Sequence, residues 1–224
     1  GTSGLRKKTR VFMQRHYLEN YVEAIFAGVG GVAGKVLVIG GDGRFFNDKA
    51  IQTIIRMAVA HGARKLVVGK GGLFSTPAAS NVIRKLGAFG GIVLSASHNP
   101  GGEDGDFGIK FNGANGGPAP ESVTDAIYDA TKAITEYRIA DIADVDLDKL
   151  GTSKAGDTEI EVVDPVADYV ELMQKLFDFD KIAAVIKSGF TLRFDAMHAA
   201  TGPYAKAILE DLLGAAPGSV VNAV

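Results

Sequence analysis

The sequence predicts an α/β fold, in which a mostly parallel sheet lies between helices on both faces and forms a three-layer α/β/α domain. Three short apolar runs carry this prediction: residues 36–39, 66–68 and 92–94. Continuous apolar runs are typical of parallel strands, because such strands are buried on both faces. Segments with helical spacing separate the runs, and this β-α-β-α-β order with short links favours parallel strands joined by crossover helices.

The helices of this first half are predicted from periodicity and from their starting residues. One helix is predicted over residues 14–26, where apolar side chains recur at helical spacing. A second begins at Asn47, which can cap it. A third follows Ser75 or Thr76 as the capping residue, with Pro77 well suited to its first turn.

The second half of the chain carries weaker patterns. A short strand or hairpin arm is predicted over residues 107–111, and helices are predicted over residues 121–134 and 168–177. Residues 136–163 are polar and acidic with little periodicity, so we expect a long surface excursion with little regular structure.

The last part of the chain indicates the start of a second βα domain, with a strand over residues 190–194 and a helix over residues 204–213. We place domain I at residues 1–188 and a truncated start of domain II at residues 189–224. The second piece has only about 35 residues, fewer than a core that stands alone usually needs.

Composition and charge argue against several classes of protein. The net charge of −2 gives no reason to expect nucleic acid or an anionic membrane as a partner. No apolar run reaches the ~18 residues of a membrane-spanning helix, and the basic start lacks the apolar stretch of a secretory signal. There is no cysteine, which is compatible with the cytosol, and we expect a cytoplasmic protein. Separately, we expect a monomer or a weak homodimer.

The most informative stretch is residues 94–101 (LSASHNPG), where an apolar strand breaks sharply. A hydroxyl held at the carboxyl end of a strand lies where α/β folds place their chemistry. Ser97 is therefore the candidate reactive residue, with His98 and Asn99 beside it. The Asn-Pro and Gly-Gly pairs are also ordinary turn formers, so the loop by itself leaves a functional role and a plain turn equally open.

Three other motifs are better explained without a ligand. Residues 28–33 match a loose dinucleotide pattern, but they follow a helix and precede a strand, the reverse of the order that the pattern needs. Residues 34–35 lack the spacing of a phosphate-binding P-loop. The segment from Asp104 to Asp106 has no third carboxylate at short spacing, which favours a turn over a metal loop.

The chemistry of the candidate serine favours phosphoryl transfer over acyl transfer. Adjacent Ser and His side chains in an extended segment are expected to point apart, and the G-x-S-x-G elbow of serine hydrolases is absent. Phosphoryl transfer needs cations that neutralise charge rather than a strong covalent apparatus. Arg6, Lys110 and His98 could supply that charge. Hydrogen bonds could come from Thr2 and Ser3.

Four segments form a recognisable set: residues 2–6 (TSGLR), 40–44 (GGDGR), 95–102 (SASHNPGG) and 105–112 (GDFGIKFN). Together with residues 195–204, they resemble the α-D-phosphohexomutases and, within them, the phosphoglucomutases. The third segment is similar to the family's phosphoserine loop, with serine at its first position where threonine is commoner. The resemblance runs nearly from end to end of the chain.

The resemblance implies an isomerase that moves phosphate reversibly between O1 and O6 of glucose. A phosphorylated Ser97 would donate its phosphoryl group to the sugar phosphate. The resulting glucose 1,6-bisphosphate would reorient and return the other phosphoryl group to Ser97. Small sugar phosphates are the implied partners, and Mg²⁺ is the implied cofactor.

The same resemblance implies roles for individual residues. Lys110 is the general acid and base, and His98 and Arg6 stabilise charge on the phosphoryl oxygens. Ser97 is the modified residue and, through its phosphate, the one metal ligand that can be named in this chain. The implied substrate-binding residues are Thr2, Ser3, Arg6, Asn99 and Lys110.

The chain departs from the family in one large respect. The family's D-G-D-x-D-R metal loop and its third and fourth domains are absent, so the remaining metal ligands are missing. We therefore expect a segment that carries the nucleophile but turns over poorly or not at all. Two alternatives stay open: a non-enzymatic structural or signalling relative, and a phosphohexomutase for another sugar, such as mannose or N-acetylglucosamine phosphate.

Overall fold

The computed structural model describes residues 4–223, and the chain divides into two compact units, one ending at Val163 and the other beginning at Asp164. This division falls before the boundary expected between residues 188 and 189. The expected boundary stays a prediction, because compactness alone does not test where a second family domain begins.

The first unit alternates strands and helices. Its elements are β1 (Gly4–Lys8), α1 (Thr9–Phe12), α2 (Tyr17–Gly28), β2 (Val36–Gly41), α3 (Asn47–Ala60), β3 (Lys65–Leu73), α4 (Thr76–Leu86), β4 (Gly90–Leu94), β5 (Asp106–Gly113), α5 (Glu121–Ala133), β6 (Gly151–Ala155) and β7 (Thr158–Val163). The strand or hairpin arm and the helix predicted after the Ser97 loop correspond to β5 and α5.

Within residues 4–223, the strands of the first unit form one seven-stranded sheet in the order β1-β5-β4-β2-β3-β7-β6. The inner strands β4, β2, β3 and β7 run parallel to one another. On the two sides, β5 pairs antiparallel with β4 and with β1, and β6 pairs antiparallel with β7. The predicted α/β class is confirmed, and the sheet is mixed around a parallel centre.

The main core lies on one face of the sheet, under α2, α3 and α5. Leu37 and Ile39 of β2 and Ile92 of β4 are fully buried there, and α3 adds a buried apolar face. Gly28 lets α2 approach α5 closely, because a Cβ at this position would lie 2.6 Å from the side chain of Ile127. Burial of these aliphatic side chains is the main stabilising contribution to the unit.

Helix α4 covers the opposite face and completes the three layers. It begins after Ser75, whose Oγ accepts a hydrogen bond from N of Ala78 at 3.3 Å, with Pro77 in the first turn as predicted. Gly91 lets α4 approach β4, because a Cβ there would lie 2.9 Å from the side chain of Ile83. The prediction of helices on both faces is confirmed.

Two predicted helix starts need correction. Helix α2 begins at Tyr17, later than predicted, because His16 adopts a left-handed conformation with a φ of 66° after α1. Asn47 opens α3 but does not cap it. Its Nδ2 donates instead to the carbonyl oxygen of Gly72 at 3.2 Å, and Phe46 occupies the capping position.

The prediction of little regular structure over residues 136–163 is wrong in its second half. Strands β6 and β7 form a hairpin there, and β7 pairs in parallel with β3. Alternate residues of β7, starting with Thr158, are buried. The intervening Glu159 and Glu161 each contact Nζ of Lys65 at 2.7 Å, so the acidic residues lie on the half-exposed face of a strand rather than in a loop.

The second unit is described over residues 164–223. Its elements are α6 (Ala167–Leu176), α7 (Phe179–Lys187), β8 (Phe194–Asp195), α8 (Gly202–Ala205), a π-helical segment (Lys206–Leu212) and β9 (Val220–Val221). Strands β8 and β9 pair in parallel. The predicted helix over residues 168–177 is confirmed as α6, whereas the predicted strand over residues 190–194 shrinks to the two residues of β8.

Replacement of Thr158 tests the placement of β7. Its Oγ1 donates a hydrogen bond to the carbonyl oxygen of Ala63 at 2.7 Å, and Thr158 is 2% exposed. Thr158→Val keeps the shape of the side chain but removes this donor, so we expect the free energy of unfolding to fall by about 1–3 kcal/mol. Urea denaturation followed by circular dichroism measures the change.

Two variants serve as controls for this prediction. Thr158→Ser keeps the donor and should be less destabilising, and Thr152→Val in the exposed β6 should change stability by less than about 0.5 kcal/mol. An unfolding midpoint for Thr158→Val equal to that of the unsubstituted chain would contradict the placement of β7.

Candidate active site

The loop that follows β4 holds Ser97 in a strained conformation and exposes its side chain. Ser97 has a φ of 57°, in the left-handed region that residues other than glycine seldom adopt. Its N–H donates to Oγ of the buried Ser95 at 3.0 Å. The strain costs about 1–3 kcal/mol and turns the chain sharply at the carboxyl end of a parallel strand.

His98 lies beside the serine hydroxyl. Oγ of Ser97 is 3.5 Å from Nδ1 of His98, and both side chains are exposed. The expectation that these side chains point apart is wrong, because the left-handed turn breaks the alternation of an extended segment. A separation of 3.5 Å is at the long limit of a hydrogen bond. His98 is therefore better placed to contact a group carried on Oγ than to remove the hydroxyl proton of Ser97.

Arg44 is the residue near the loop to which the sequence assigned no role. Its guanidinium donates to the carbonyl oxygens of Ser97 at 3.1 Å, Asn99 at 3.4 Å and Asp106 at 2.7 Å. It also forms an ion pair with Asp42, with Nη2 2.8 Å from Oδ2. The one sequence signal that could have found it is its place in a Gly-Asp-Gly-Arg turn directly after a buried strand.

Strands β1 and β5 bring Arg6 and Lys110 to the same face of the sheet. Cross-strand partners in an antiparallel pair share a face, and Arg6 lies opposite Gly108. Lys110 is two residues beyond Gly108 and therefore shares this face. A Cβ at Gly108 would collide with the carbonyl oxygen of Ser95, so glycine is needed for the start of the loop to lie against β5.

Asn99 links Arg6 to the acidic start of β5. Its Oδ1 accepts a hydrogen bond from Nη1 of Arg6 at 3.4 Å, and its Nδ2 donates to Oδ2 of Asp106 at 2.5 Å. The other carboxylate oxygen of Asp106 lies 2.8 Å from Nζ of Lys8. The hydrogen bond from Lys8, followed by that from Asn99, holds the pKa of the Asp106 carboxyl below its ordinary value.

Several of the predicted site residues thus come together from three segments of the chain. The residues that lie on or next to one face of the sheet are Arg6, Ser97, His98, Asn99 and Lys110. The two others, Thr2 and Ser3, lie outside the described residues. Within residues 4–223, neither Arg6 nor Lys110 forms an ion pair, so positive charge is left available on this face.

The described residues do not fit a metal site of their own. No group of three or more His, Asp or Glu side chains among residues 4–223 is placed to hold a metal ion. Asp104, in the segment that the sequence favours as a turn, lies 2.5 Å from Nε of Arg10. The carboxylates next to the Ser97 loop are therefore neutralised by side chains of the protein.

Fold and site together define an α/β domain that presents a serine at the end of a parallel strand, beside cations from a neighbouring antiparallel strand pair. The model of the first domain of one family, described as "Phosphoglucomutase/phosphomannomutase, alpha/beta/alpha domain I", matches residues 1–138. The chain belongs to the phosphoglucomutase/phosphomannomutase family.

Individual relatives match the chain over its whole length. It is 59% identical to a phosphoglucomutase of Rhizobium radiobacter and 54% identical to a chloroplastic phosphoglucomutase of Solanum tuberosum, and it covers 41% and 36% of them. The crystal structure of the exocytosis-sensitive phosphoprotein pp63/parafusin, a phosphoglucomutase from Paramecium, matches with a TM-score of 0.95 and 46% identity. The chain covers 43% of that structure, so it spans less than half the length of these relatives.

Replacement of Ser95 tests the support of the left-handed turn. Ser95→Ala removes the acceptor for the N–H of Ser97, and a lost hydrogen bond of about 1.4 kcal/mol corresponds to about tenfold faster exchange of that amide hydrogen. Hydrogen–deuterium exchange with peptide-level mass spectrometry measures the rate. Ser95→Thr keeps the hydroxyl and should exchange as the unsubstituted chain does. Unchanged exchange in Ser95→Ala would rule out this support.

The pairing of Asp106 predicts a pH dependence. Because its folded pKa lies below the ordinary 3.8, the charged carboxylate stabilises the fold above that pH, and the contribution is lost as pH falls through the folded pKa. Lys8→Met removes the largest cause and should raise the Asp106 midpoint towards 3.8, as measured by carboxyl ¹³C NMR titration. Lys7→Met, a change to the neighbouring lysine, which alternates to the other face, is the control. Equal midpoints with and without Lys8 would refute the pairing.

Proposed function

We propose that this chain supplies the phosphoserine domain of a phosphoglucomutase, which interconverts glucose 1-phosphate and glucose 6-phosphate through glucose 1,6-bisphosphate. The names of relatives that match the whole chain at 46% to 59% identity support this activity. They favour glucose over mannose or N-acetylglucosamine phosphate, and an enzyme over a non-enzymatic relative. Because the chain spans less than half of their length, turnover is proposed for the chain in the company of the further domains that they possess.

One observation carries the proposal: an exposed serine hydroxyl on a strained turn, next to cations that have no ion pair within residues 4–223. Ser97 Oγ is proposed as the atom that carries the phosphoryl group. A phosphorylated serine holds about two negative charges, which Arg6 and His98 are placed to stabilise. A plain turn would need neither the exposed serine nor these cations.

The first half reaction transfers phosphate from the enzyme to the sugar. O6 of glucose 1-phosphate attacks the phosphorus on Ser97, the new P–O6 bond forms, and the bond from phosphorus to Oγ breaks. The sugar hydroxyl loses a proton and Oγ gains one. We assign this proton exchange to Lys110, a half-buried residue whose Nζ forms no hydrogen bond or ion pair within residues 4–223. The second half reaction reverses the step with the phosphoryl group at C1.

Substrate and metal contacts complete the proposal. Asn99 and Arg6, joined by a hydrogen bond, are proposed to bind the sugar phosphate, together with Lys110, Thr2 and Ser3. The resemblance implies Mg²⁺ bound through the phosphate on the reactive serine. The described residues supply no further ligand set for it.

Cellular location and assembly stay predictions. Within residues 4–223, no helix combines the length and the apolar character that a bilayer crossing requires. The relatives include a bacterial and a chloroplastic protein. The cytoplasmic location, the monomer or weak homodimer and the absence of a nucleic-acid or membrane partner are therefore expectations from the sequence.

The proposal is tested in a chimera in which this chain replaces the matching segment of the Rhizobium radiobacter phosphoglucomutase. We expect the chimera to convert glucose 1-phosphate to glucose 6-phosphate, and Ser97→Ala to lower kcat by roughly 10⁴-fold or more, because the phosphate carrier is lost. A coupled glucose 6-phosphate dehydrogenase assay measures turnover. Peptide mapping after exposure to glucose 1,6-bisphosphate locates the phosphate.

Ser153→Ala, a serine replacement in the exposed strand β6, is the matched control and should keep full activity. Circular dichroism and size exclusion confirm that each chimera is folded. A folded chimera without mutase activity, or one that carries phosphate on a residue other than Ser97, would overturn the proposed function.

A further inference from the structure

Arg44 lies against the Ser97 loop with only 8% of its side chain exposed. A buried guanidinium is unfavourable unless its charge is balanced and its donors are paired. Asp42 balances the charge, with Nε of Arg44 2.9 Å from Oδ1 and Nη2 2.8 Å from Oδ2. This side-on, two-contact geometry fixes the plane of the guanidinium as well as its position.

The other donors of Arg44 all bind main-chain oxygens, two in the loop and one at the first residue of β5. Nη2 donates to the carbonyl oxygen of Ser97, and Nη1 donates to those of Asn99 and Asp106. A guanidinium has five N–H donors, and its contacts to Asp42 and to these three carbonyls use all five. No donor is left for a phosphoryl oxygen or a sugar hydroxyl.

The ion pair is itself attached to the parallel centre of the sheet. N of Asp42 donates to the carbonyl oxygen of Leu94, the last residue of β4, at 3.0 Å. Asp42 follows β2, which pairs with β4 through the last residue of each strand, Gly41 and Leu94. Arg44 therefore joins Ser97 and the loop after it to the ends of β2 and β4, and its contact with β4 is made through Asp42.

We propose that Arg44 is a positioning residue for phosphoryl transfer: by holding the carbonyl oxygen of Ser97, it fixes the direction of Oγ and so sets kcat without binding the sugar. The inference rests on the proposed function. It follows because every donor of Arg44 binds the chain itself, so Arg44 acts only through the backbone of the loop. A misplacement of the reacting atom by ~1 Å can lower a rate by about 10²-fold.

The test is the Arg44→Ala variant of the same chimera. We expect kcat to fall by about 10²-fold, while KM for glucose 1-phosphate stays within about twofold, because no substrate contact is removed. Guanidinium chloride at millimolar concentration should enter the vacated space and recover kcat by about tenfold. Methylammonium should not, because it lacks the planar fork of donors.

Two more variants sharpen the test. Arg44→Lys keeps the charge, but its three donors on a single nitrogen are too few to join Asp42 to three carbonyl oxygens. We therefore expect the kcat of Arg44→Lys to be low as well. This variant tests the role if Arg44→Ala folds poorly. Arg10→Ala removes exposed ion pairs to Glu103 and Asp104 of the same loop and should leave kcat unchanged.

The outcomes separate this inference from the proposed function. An inactive but folded unsubstituted chimera rejects the proposed function. An active chimera whose Arg44→Ala and Arg44→Lys variants keep kcat rejects the positioning role alone. A rise in KM at constant kcat also rejects it, because that result would mean direct contact with the substrate. Guanidinium-specific recovery of kcat supports the role, and equal recovery by methylammonium contradicts it.

Discussion

The pairing of β5 between β4 and β1 is the constraint on which the candidate site depends. Arg6 lies far from the Ser97 loop in the chain, and it reaches Asn99 of that loop because β5 aligns Arg6 with Gly108 while the loop begins against that same glycine. The N–H of Ser95 donates to the carbonyl oxygen of Gly108 at 2.9 Å, which continues the β4–β5 ladder into the loop. If β5 were shifted by one residue, Gly108 and Lys110 would turn to the opposite face of the sheet from Arg6. The cations would then no longer lie together next to the loop that carries Ser97.

The strain at Ser97 is offset by hydrogen bonds that are local to the loop. A left-handed conformation at a residue with a Cβ persists only when its surroundings over-determine it. Here the N–H of Ser97 binds the hydroxyl of Ser95 and its carbonyl binds Arg44, so both main-chain groups of the strained residue are paired. Ser97 itself is exposed to solvent. Strain and exposure of the reactive atom are therefore two results of the same backbone geometry.

The parts of the fold that the sequence predicted are those where side-chain type determines local structure. Continuous apolar runs located β2, β3 and β4, and the Ser75 cap located the start of α4. Strand β7 was missed although its buried residues Thr158, Ile160 and Val162 alternate with half-exposed positions. The glutamates of β7 favour a loop prediction when their partner Lys65 is not known. Their ion pairs with Lys65 depend on the order of the strands, which a local sequence pattern does not contain.

The candidate site, like the fold, was predictable only where the types of side chain carry the signal. The loop after β4 carries Ser97, His98 and Asn99 in a sequence that resembles a known family, so those residues could be proposed directly. The role of Arg44 could not, because its loop partners are main-chain carbonyls, which every residue has. The closeness of Ser97 to His98 also depends on a left-handed φ that no rule of alternation predicts for a serine.

The charges around the loop divide into two groups with different consequences. The paired carboxylates and their partners are Asp42 with Arg44, Asp104 with Arg10, and Asp106 with Lys8. Arg10 also pairs with Glu103, and each of these contacts ties a part of the loop to a neighbouring segment. Arg6 and Lys110 form no ion pair within residues 4–223, so their positive charge lies on the face of the sheet next to the loop. A phosphoryl group on Ser97 would bring negative charge close to these cations, and their attraction would stabilise it.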